Sequence, residues 1–432
     1  MEEANKVQMR KRNMKLFPIY KKIAWDYLFY YTIDFLFLTQ IKHISAADAV
    51  LLSSIKSICG IFLQIPANII VEFLGRRNSV ILGNILNCLY MVMFMASGSL
   101  FDLIIAKFIS SLAFSIKEIA EPSLLNGSIP PSKYKSNIFA KINAKGASGY
   151  YFLGAVSKMI AGVLFEINGY LPFICSLVIL MIVSLMSMCY IEPVKRQQKN
   201  NKVSVKKQLK DIEEGFMYVL KSERLKALIL STSLIVSLLN ILLNYQTSLL
   251  QDIKLPASFI GIVSAVLTLV SAYASKKQND FHHKFRNKSI MIIALMTSIS
   301  TFIAGAVGLQ AEQFRIFIVV IILSYMIAKF GHGMFYTIID RYFRNFTNKS
   351  IDTKVFAVKN LFVNIISAII GIIASFLLDK MQTAYCMIIV GSVFTVLYLL
   401  MGKYMKTRVG LKPEQYSKEE RKYDELKEKD KE

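Results

Sequence analysis

The sequence predicts an all-α membrane protein with twelve transmembrane helices. Three observations carry this prediction: an apolar composition, the spacing of the apolar segments, and the placement of the basic residues. Hydrophobic residues make up 54% of the 432 residues, and a water-soluble protein this apolar would expose large hydrophobic patches. The net charge is +23. Because the basic residues lie between apolar segments rather than on one element, we expect no nucleic-acid partner.

Twelve apolar segments are long enough to cross a bilayer, which takes roughly 20 residues of helix. We place them at residues 16–40, 46–71, 79–99, 103–125, 146–165, 171–191, 225–249, 258–274, 289–309, 315–338, 355–378 and 384–405. Each is expected to be helical along its length, because hydrocarbon offers no partner for backbone polar groups. The first segment follows a basic N-terminus, as a signal peptide does, but its length and aromatic content favour a retained span.

The basic residues of the loops predict which side of the membrane each loop faces. Seven lie between the N-terminus and Lys22, and the loop after the second segment contains Arg76 and Arg77. The loops after the fourth and eighth segments and the central linker are also rich in lysine. The alternate loops carry only one basic residue each: Lys42, Lys107, Lys254, Arg315 and Lys380. Because positively charged loops stay in the cytoplasm, both termini are predicted to be cytoplasmic.

A polar, lysine-rich linker divides the apolar segments six and six, which predicts five regions. They are a cytoplasmic N-terminal tail (1–15), a first six-helix bundle (16–191), the linker (192–224), a second six-helix bundle (225–405) and a charged cytoplasmic tail (406–432). Within the linker, residues 205–220 place apolar side chains at helical spacing, which predicts an amphipathic helix along the membrane surface.

Residues 68–77, Asn-Ile-Ile-Val-Glu-Phe-Leu-Gly-Arg-Arg, lie between the second and third segments. They resemble the signature loop between helices 2 and 3 of the major facilitator superfamily, Gly-x-x-x-Asp-Arg/Lys-x-Gly-Arg/Lys-Arg/Lys. Asn68 and Phe73 depart from that pattern, while four residues keep it, with glutamate for aspartate: Glu72, Gly75, Arg76 and Arg77. The resemblance implies the superfamily's two six-helix bundles, a secondary transporter that works by alternating access, and a conformational gate formed by these four residues. We expect Glu72 and Arg76 to form a latch in one state.

Ionisable residues inside the segments are functional candidates, because each costs at least ~2.5 kcal/mol to insert. Four acids are predicted to take part in proton coupling: Asp26, Asp34, Glu118 and Glu121. In the fourth segment Lys117 and Glu121 are one helical turn apart and can pair, while Glu118 and Glu121 can repel each other. Such repulsion favours a protonated carboxyl, and we expect Glu121, beside Pro122, to carry the proton.

Two other lysines inside the segments are predicted to have packing partners. Asp34 and Lys56 lie at comparable depth in the first and second segments, which predicts a structural ion pair and leaves a functional role open. Lys158 lies between Gly154 and Gly162 on one face of small residues. That pattern favours close helix packing over contact with a substrate.

The resemblance also implies that segments one, four, seven and ten line a central cavity. The side chains predicted to line it, in addition to the acids, are Tyr30, Lys117, Asn240, Asn244, Tyr325, Lys329 and His332. Lys117 and Lys329 lie at similar distances into segments four and ten, so they either hold an anionic substrate or neutralise acids. Acids adjoin Lys117, which favours neutralisation there. Lys329 has no acid in its own segment and is the better substrate candidate.

These patterns favour proton-coupled transport of a small organic solute, with export as a candidate direction. One alternative is uptake or exchange of an organic anion whose charge binds Lys329 and Lys117, and another is a non-transporting receptor or scaffold. We expect no enzyme activity, catalytic residue, cofactor or metal, since the sequence has no phosphate-binding Gly-rich loop, His-Glu-x-x-His motif or paired cysteines. The expected protein is a monomer that spans the lipid bilayer of a bacterial plasma membrane several times and has protons and a small molecule as partners.

Overall fold

The computed structural model describes residues 2–31, 33–130, 134–192, 205–347 and 351–409, and within these residues the secondary structure is helical. The described part of the chain divides into two compact units. The first unit falls within Met1–Val205 and Leu255–Leu269, and the second within Lys206–Lys254 and Val270–Glu432. The predicted linker and C-terminal tail are described only in part, because residues 193–204 and 410–432 lie outside the described residues.

Fourteen α-helices are present in the described residues. In the first unit they are α1 (Glu2–Ala24), α2 (Asp34–Leu36), α3 (Ala46–Leu74), α4 (Arg76–Ala96), α5 (Leu100–Ser128), α6 (Lys135–Ile167) and α7 (Leu171–Met188). They continue with α8 (Val205–Lys221), α9 (Glu223–Asp252), α10 (Ala257–Phe285), α11 (Ser289–Gly308), α12 (Ile316–Phe346), α13 (Asp352–Lys380) and α14 (Thr383–Lys406). Of these, α10 begins in the first unit and ends in the second.

Nine helical stretches of the described residues are long and apolar enough to cross a membrane, counting α10 and α11 as one stretch. They cover ten of the twelve predicted segments. The first and fourth segments are absent from this set. In α5, which corresponds to the fourth segment, the apolar sequence is interrupted by Lys107, Lys117, Glu118 and Glu121.

The prediction of one continuous helix over the first segment is wrong. Helix α1 ends at Ala24, and helical structure resumes only at α2, which runs directly into a π-helical turn over Phe37–Ile41. Between them the chain is irregular, and Phe29 adopts a positive φ of 64°. We call the irregular residues 25–31 and 33 the α1 break.

Side chains satisfy the backbone of the α1 break. The carbonyl of Ala24 accepts a hydrogen bond from Lys117 Nζ at 2.8 Å, and the carbonyl of Leu28 accepts one from Ser176 Oγ. The backbone N–H of Tyr27 donates to Asp26 Oδ1 at 3.0 Å. Irregular backbone is tolerated at membrane depth only where protein groups replace the lost helical partners, and these contacts replace three of them.

The hydrophobic core of the first unit surrounds the C-terminal half of α5, the half that is predicted to lie nearer the cytoplasm. Its buried members come from α1, α3, α4, α5 and the end of α7, and include Tyr20, Val71, Ile116, Val183 and Tyr190. The polar side chains of Tyr20 and Glu121 lie buried beside these residues.

The predicted amphipathic helix of the linker is confirmed as α8, although its position along the membrane surface stays a prediction. In the second unit α8 packs on the start of α13. Lys354 Nζ lies 2.8 Å from Asp211 Oδ1 and also pairs with Glu214. The backbones approach closely at Gly215, where an added Cβ would lie 2.7 Å from the carbonyl oxygen of Lys354. These contacts fix one face of α8 to α13.

Candidate functional site

Glu121 is the centre of a buried polar network in the first unit. Its side chain is on α5, and the residue is only 9% exposed. Oε1 lies 3.5 Å from Lys117 Nζ, one helical turn earlier, which confirms the predicted pairing of these two residues. The same oxygen accepts a hydrogen bond from Tyr20 Oη of α1 at 2.8 Å. An ammonium and a phenol therefore both stabilise a negative charge on Glu121.

The direction of the Tyr20 hydrogen bond follows from its second partner. Asn84 Nδ2 of α4 donates to Tyr20 Oη at 2.9 Å, and both residues are fully buried. A phenol has a single proton and accepts with its oxygen. Tyr20 thus accepts a hydrogen bond from Asn84 and donates one to Glu121. The network therefore joins three helices.

Lys117 connects Glu121 to the end of α1. Its Nζ donates to the carbonyl of Ala24, the last residue of that helix. A cation at this position satisfies a free carbonyl and interacts favourably with the negative end of the helix dipole. The stem of Lys117 fits beside α4 because residue 83 is glycine, where an added Cβ would lie 2.6 Å from Lys117 Cγ.

A second cation, Lys107, lies among aromatic rings next to the α1 break. Its Nζ donates to Tyr30 Oη at 2.9 Å and lies 5.5 to 5.7 Å from the ring centroids of Tyr30, Tyr90 and Phe94. Lys107 is only 8% exposed, although the sequence analysis grouped it with the loop lysines. Its position ten residues before Lys117, inside segment 103–125, was the signal that could have identified it.

Helix α4 contributes a polar face that the sequence analysis did not assign to the site. Asn84, Asn87 and Tyr90 follow one another at intervals of three residues, which places them along one side of the helix. Tyr27 Oη donates to Asn87 Oδ1 at 2.7 Å, and the hydroxyls of Tyr30 and Tyr90 bond to each other. Aromatic residues of the α1 break are therefore held against α4 by hydrogen bonds as well as by ring contacts.

The predicted ion pair between Asp34 and Lys56 does not form in this structure. Lys56 Nζ lies 4.8 Å from the ring centroid of Phe114, and no carboxylate among the described residues lies within ion-pair distance of it. Lys107, the other lysine near the break, donates to Tyr30 Oη.

The remaining acids differ in exposure. Asp26 is half-buried, and its Oδ1 accepts from the hydroxyl of Tyr31 as well as from the Tyr27 N–H. Asp34 is also half-buried and begins α2, whereas Glu118 is exposed on the outer face of α5. Of the four acids predicted for proton coupling, Glu121 is thus the most buried.

Lys158 packs as the glycine pattern predicted. Its Nζ donates to Thr268 Oγ1 of α10 at 2.9 Å. One turn along α6, an added Cβ at Gly162 would lie 2.4 Å from the carbonyl oxygen of Ala257. At the end of α6, Glu166 Oε1 accepts from the backbone N–H of Ser258 at 2.9 Å. These contacts within the first unit support a packing role for this face.

The predicted cavity residues of the second unit have varied surroundings. Tyr325 is fully buried, and its hydroxyl lies 3.9 Å from Met387 Sδ. The backbone carbonyl of Lys329 accepts from Ser271 Oγ at 2.9 Å. The ring of His332 lies 5.5 Å from that of Tyr336, Asn240 is exposed and Asn244 is half-buried. Their roles stay predictions.

The gate loop contains the four predicted gate residues, Glu72, Gly75, Arg76 and Arg77. The contacts described here are made by Arg77 and not by Glu72 and Arg76, for which the latch was predicted. Arg77 Nε donates to the carbonyl of Tyr190 at 2.6 Å and Nη2 to that of Met188 at 2.9 Å. Its backbone N–H donates to Glu192 Oε2 at 2.8 Å. Gly75 supplies the turn with a φ of +83°. Within the described residues Glu72 and Arg76 form no ion pair, so the latch predicted for them stays a prediction.

Solved structures with a similar fold are those of membrane transporters. A mutant of the nucleoside transporter NupG shares 13% identity, with a TM-score of 0.74 over 92% of this chain and 100% of that chain. A POT family transporter in complex with 5-aminolevulinic acid shares 15% identity, with a TM-score of 0.65 over 92% and 95%. A D-xylose-proton symporter shares 12% identity, with a TM-score of 0.65 over 92% and 97%.

A comparison with curated protein sequences gives no match. The model of the family described as Major Facilitator Superfamily matches residues 26–323, which is more than half of the chain. The match includes the gate loop, the α1 break from Asp26 onward and the whole of α5. The chain therefore belongs to the Major Facilitator Superfamily, a family of multi-pass membrane transporters and not of enzymes.

Proposed function

We propose that this protein is a secondary transporter that moves a small polar organic solute by alternating access and couples that movement to protons. In this proposal all twelve predicted segments span a bacterial plasma membrane, with both termini in the cytoplasm. The distribution of basic residues between loops supports the orientation. The broken first segment and the charged α5 are included as spans because their polar groups bind one another inside the first unit.

The observation that carries the proton coupling is the joint binding of Glu121 by Lys117 and Tyr20. In its charged form the carboxylate holds the ammonium of Lys117, which in turn holds the carbonyl of Ala24. A proton on Glu121 removes the negative charge and so the ion pair. Lys117 then lacks its counter-charge in a buried site, which favours a rearrangement that gives it another one or exposes it to water.

The rearrangement acts on the α1 break because Lys117 binds the residue that precedes it. The break carries Asp26 together with Tyr27 and Tyr30, and the hydroxyls of these two tyrosines contact α4 and, through Lys107, α5. A shift at Ala24 therefore moves a carboxylate and a set of hydroxyls together. The half-buried groups at and beside the break are the ones we propose to contact the solute, and they include Asp26, Tyr31 and Lys56.

A polar solute suits this surface better than an anion. Lys117 is already neutralised by Glu121, and Lys107 donates to Tyr30 within an aromatic cluster. The similar structures are those of transporters named for nucleosides, peptides and D-xylose, solutes rich in hydrogen-bonding groups. Anion transport would have to rest on Lys329, and loss of anion binding in Lys329→Ala would favour that alternative.

The test is transport into liposomes that contain the purified protein, driven by a proton gradient. Uridine, D-xylose, dialanine and 5-aminolevulinic acid form the panel of labelled solutes. We expect accumulation of at least one of them by the wild type. Glu121→Gln should abolish gradient-driven accumulation while leaving exchange of labelled for unlabelled solute without a gradient. Glu118→Gln, which changes an exposed acid three residues away, is the matched control. Undiminished accumulation by Glu121→Gln would contradict the assignment.

A further inference from the structure

Tyr190, just after the end of α7, is a buried tyrosine whose hydroxyl has no partner among the described residues. The residue is 2% exposed, and Oη lacks a hydrogen bond. Its ring meets that of Tyr20 edge-on, with the centroids 5.3 Å apart. Tyr20 in turn donates to Glu121 Oε1 at 2.8 Å. A buried hydroxyl normally bonds to a polar group or to a water.

The same residue also lines a cleft at the surface of the first unit. The cleft has a volume of about 290 Å³ and is lined by Arg12, Arg77 and the residues from Met188 to Glu192. Arg77 fixes the backbone of Tyr190 by donating to its carbonyl. Tyr190 therefore contacts the Glu121 network with its side chain and belongs to the wall of a solvent-accessible cleft.

We infer that Tyr190 is the residue through which protons pass between Glu121 and this cleft, an inference that rests on the proposed role of Glu121 as the proton carrier. The Tyr190 hydroxyl holds a water against Glu121. When Glu121 releases its proton, the carboxyl O–H bond breaks and a new O–H bond forms on that water. The resulting hydronium passes one of its protons to the next water in the cleft. Tyr190 keeps its own proton and acts as a positioning residue.

The charges around this route favour transfer of the proton from Glu121 toward the cleft. Lys117 and Lys21 act on Glu121 from α5 and α1 and stabilise the carboxylate that remains. In the cleft Arg12 and Arg77 oppose a hydronium, whereas Glu192 attracts it. The carboxylate of Glu192, held by the N–H of Arg77, therefore offers the proton a favourable position on its way to bulk water.

The experiment follows the proton on Glu121 without any solute. The full-length protein in detergent is subjected to a rapid pH jump while the infrared band of protonated carboxyls is recorded. The part of the band that Glu121→Gln removes belongs to Glu121. Tyr190→Phe keeps the ring and should slow the change of that band roughly tenfold or more, with the same final amplitude. Tyr245→Phe, which removes a buried hydroxyl of the second unit that donates to Ala374, should leave the rate unchanged.

A native cysteine provides a second perturbation in case Tyr190→Phe does not fold. Cys189 is exposed and lines the cleft. Its alkylation by N-ethylmaleimide narrows the cleft and should therefore slow the change of the infrared band after the pH jump. Cys189→Ser treated in the same way should show no such effect.

The outcomes separate this inference from the proposed function. If Glu121→Gln removes no part of the band, the proton-carrier role of Glu121 fails. If it removes a part that changes as fast in Tyr190→Phe and in alkylated protein as in the wild type, the route through Tyr190 is overturned and the proposed function stands.

Discussion

Replacement of Lys117 by methionine tests the network most directly, because it keeps the length of the side chain and removes its charge. Glu121 loses its ion-pair partner in a buried site, and the carbonyl of Ala24 loses its donor. Breaking a buried pair from one side costs about 3–5 kcal/mol. Tyr20 continues to donate to Glu121, so we expect the lower end, about 3 kcal/mol, in the free energy of unfolding.

A second substitution should restore part of that loss. Adding Glu121→Gln to Lys117→Met removes the uncompensated charge and leaves the Ala24 carbonyl unsatisfied, a defect that costs about 1–3 kcal/mol. The double variant is therefore expected to be more stable than Lys117→Met by up to about 2 kcal/mol, although it carries one more substitution.

The single tryptophan of the chain makes the assay specific. Trp25 directly follows Ala24, so its fluorescence reports on the end of α1 as the protein is titrated with a denaturing detergent. Lys56→Met serves as the control, since Lys56 contacts a ring without an ion pair and should lose less than about 1 kcal/mol. An unfolding midpoint of Lys117→Met equal to that of the wild type would refute the reasoning, as would a double variant less stable than the single one.

Two further predictions concern packing and the gate loop. Gly162→Ala places a Cβ against the Ala257 carbonyl and should lower the free energy of unfolding by about 1–3 kcal/mol. At Gly154 the nearest atom to an added Cβ belongs to a side chain of the same helix, at 3.9 Å. Gly154→Ala should therefore be neutral or stabilising by up to about 1 kcal/mol. Thermal unfolding of the two variants checks this difference, and equal melting temperatures would contradict it. Arg77→Ala removes two hydrogen bonds from a charged donor and should cost about 1.5–3 kcal/mol, more than Arg76→Ala in the same assay. The reverse order would place the structural role on Arg76.

Local geometry explains what the sequence predicted correctly. The pairing of Lys117 with Glu121 follows from their four-residue spacing in any helix, and the amphipathic spacing of residues 205–220 was enough to predict α8. The close approach at Gly162 follows from a face of small residues. In each case the information lies within a few turns of one helix.

The α1 break could not be predicted, because nothing in its local sequence opposes a helix. Residues 19–33 contain no proline or glycine and are mostly apolar or aromatic, with Lys21, Lys22 and Asp26 as the charged exceptions. The groups that make the break possible are far away in the chain: Lys117 reaches Ala24 across 93 positions and Ser176 reaches Leu28 across 148. The partners of Arg77 were missed for the same reason, since Glu192 is 115 positions away.

The break also explains how a single acid can influence more than its own surroundings. A helix that ends inside a bilayer leaves carbonyl groups that only protein can satisfy. At Ala24 that protein group is Lys117, whose other interaction is with Glu121. In a continuous helix the carbonyl of Ala24 would be used within α1, and neutralisation of Glu121 would alter one side-chain pair. Because the helix ends there, the charge on Glu121 instead helps to hold a backbone terminus, and the terminus positions the tyrosines that follow it.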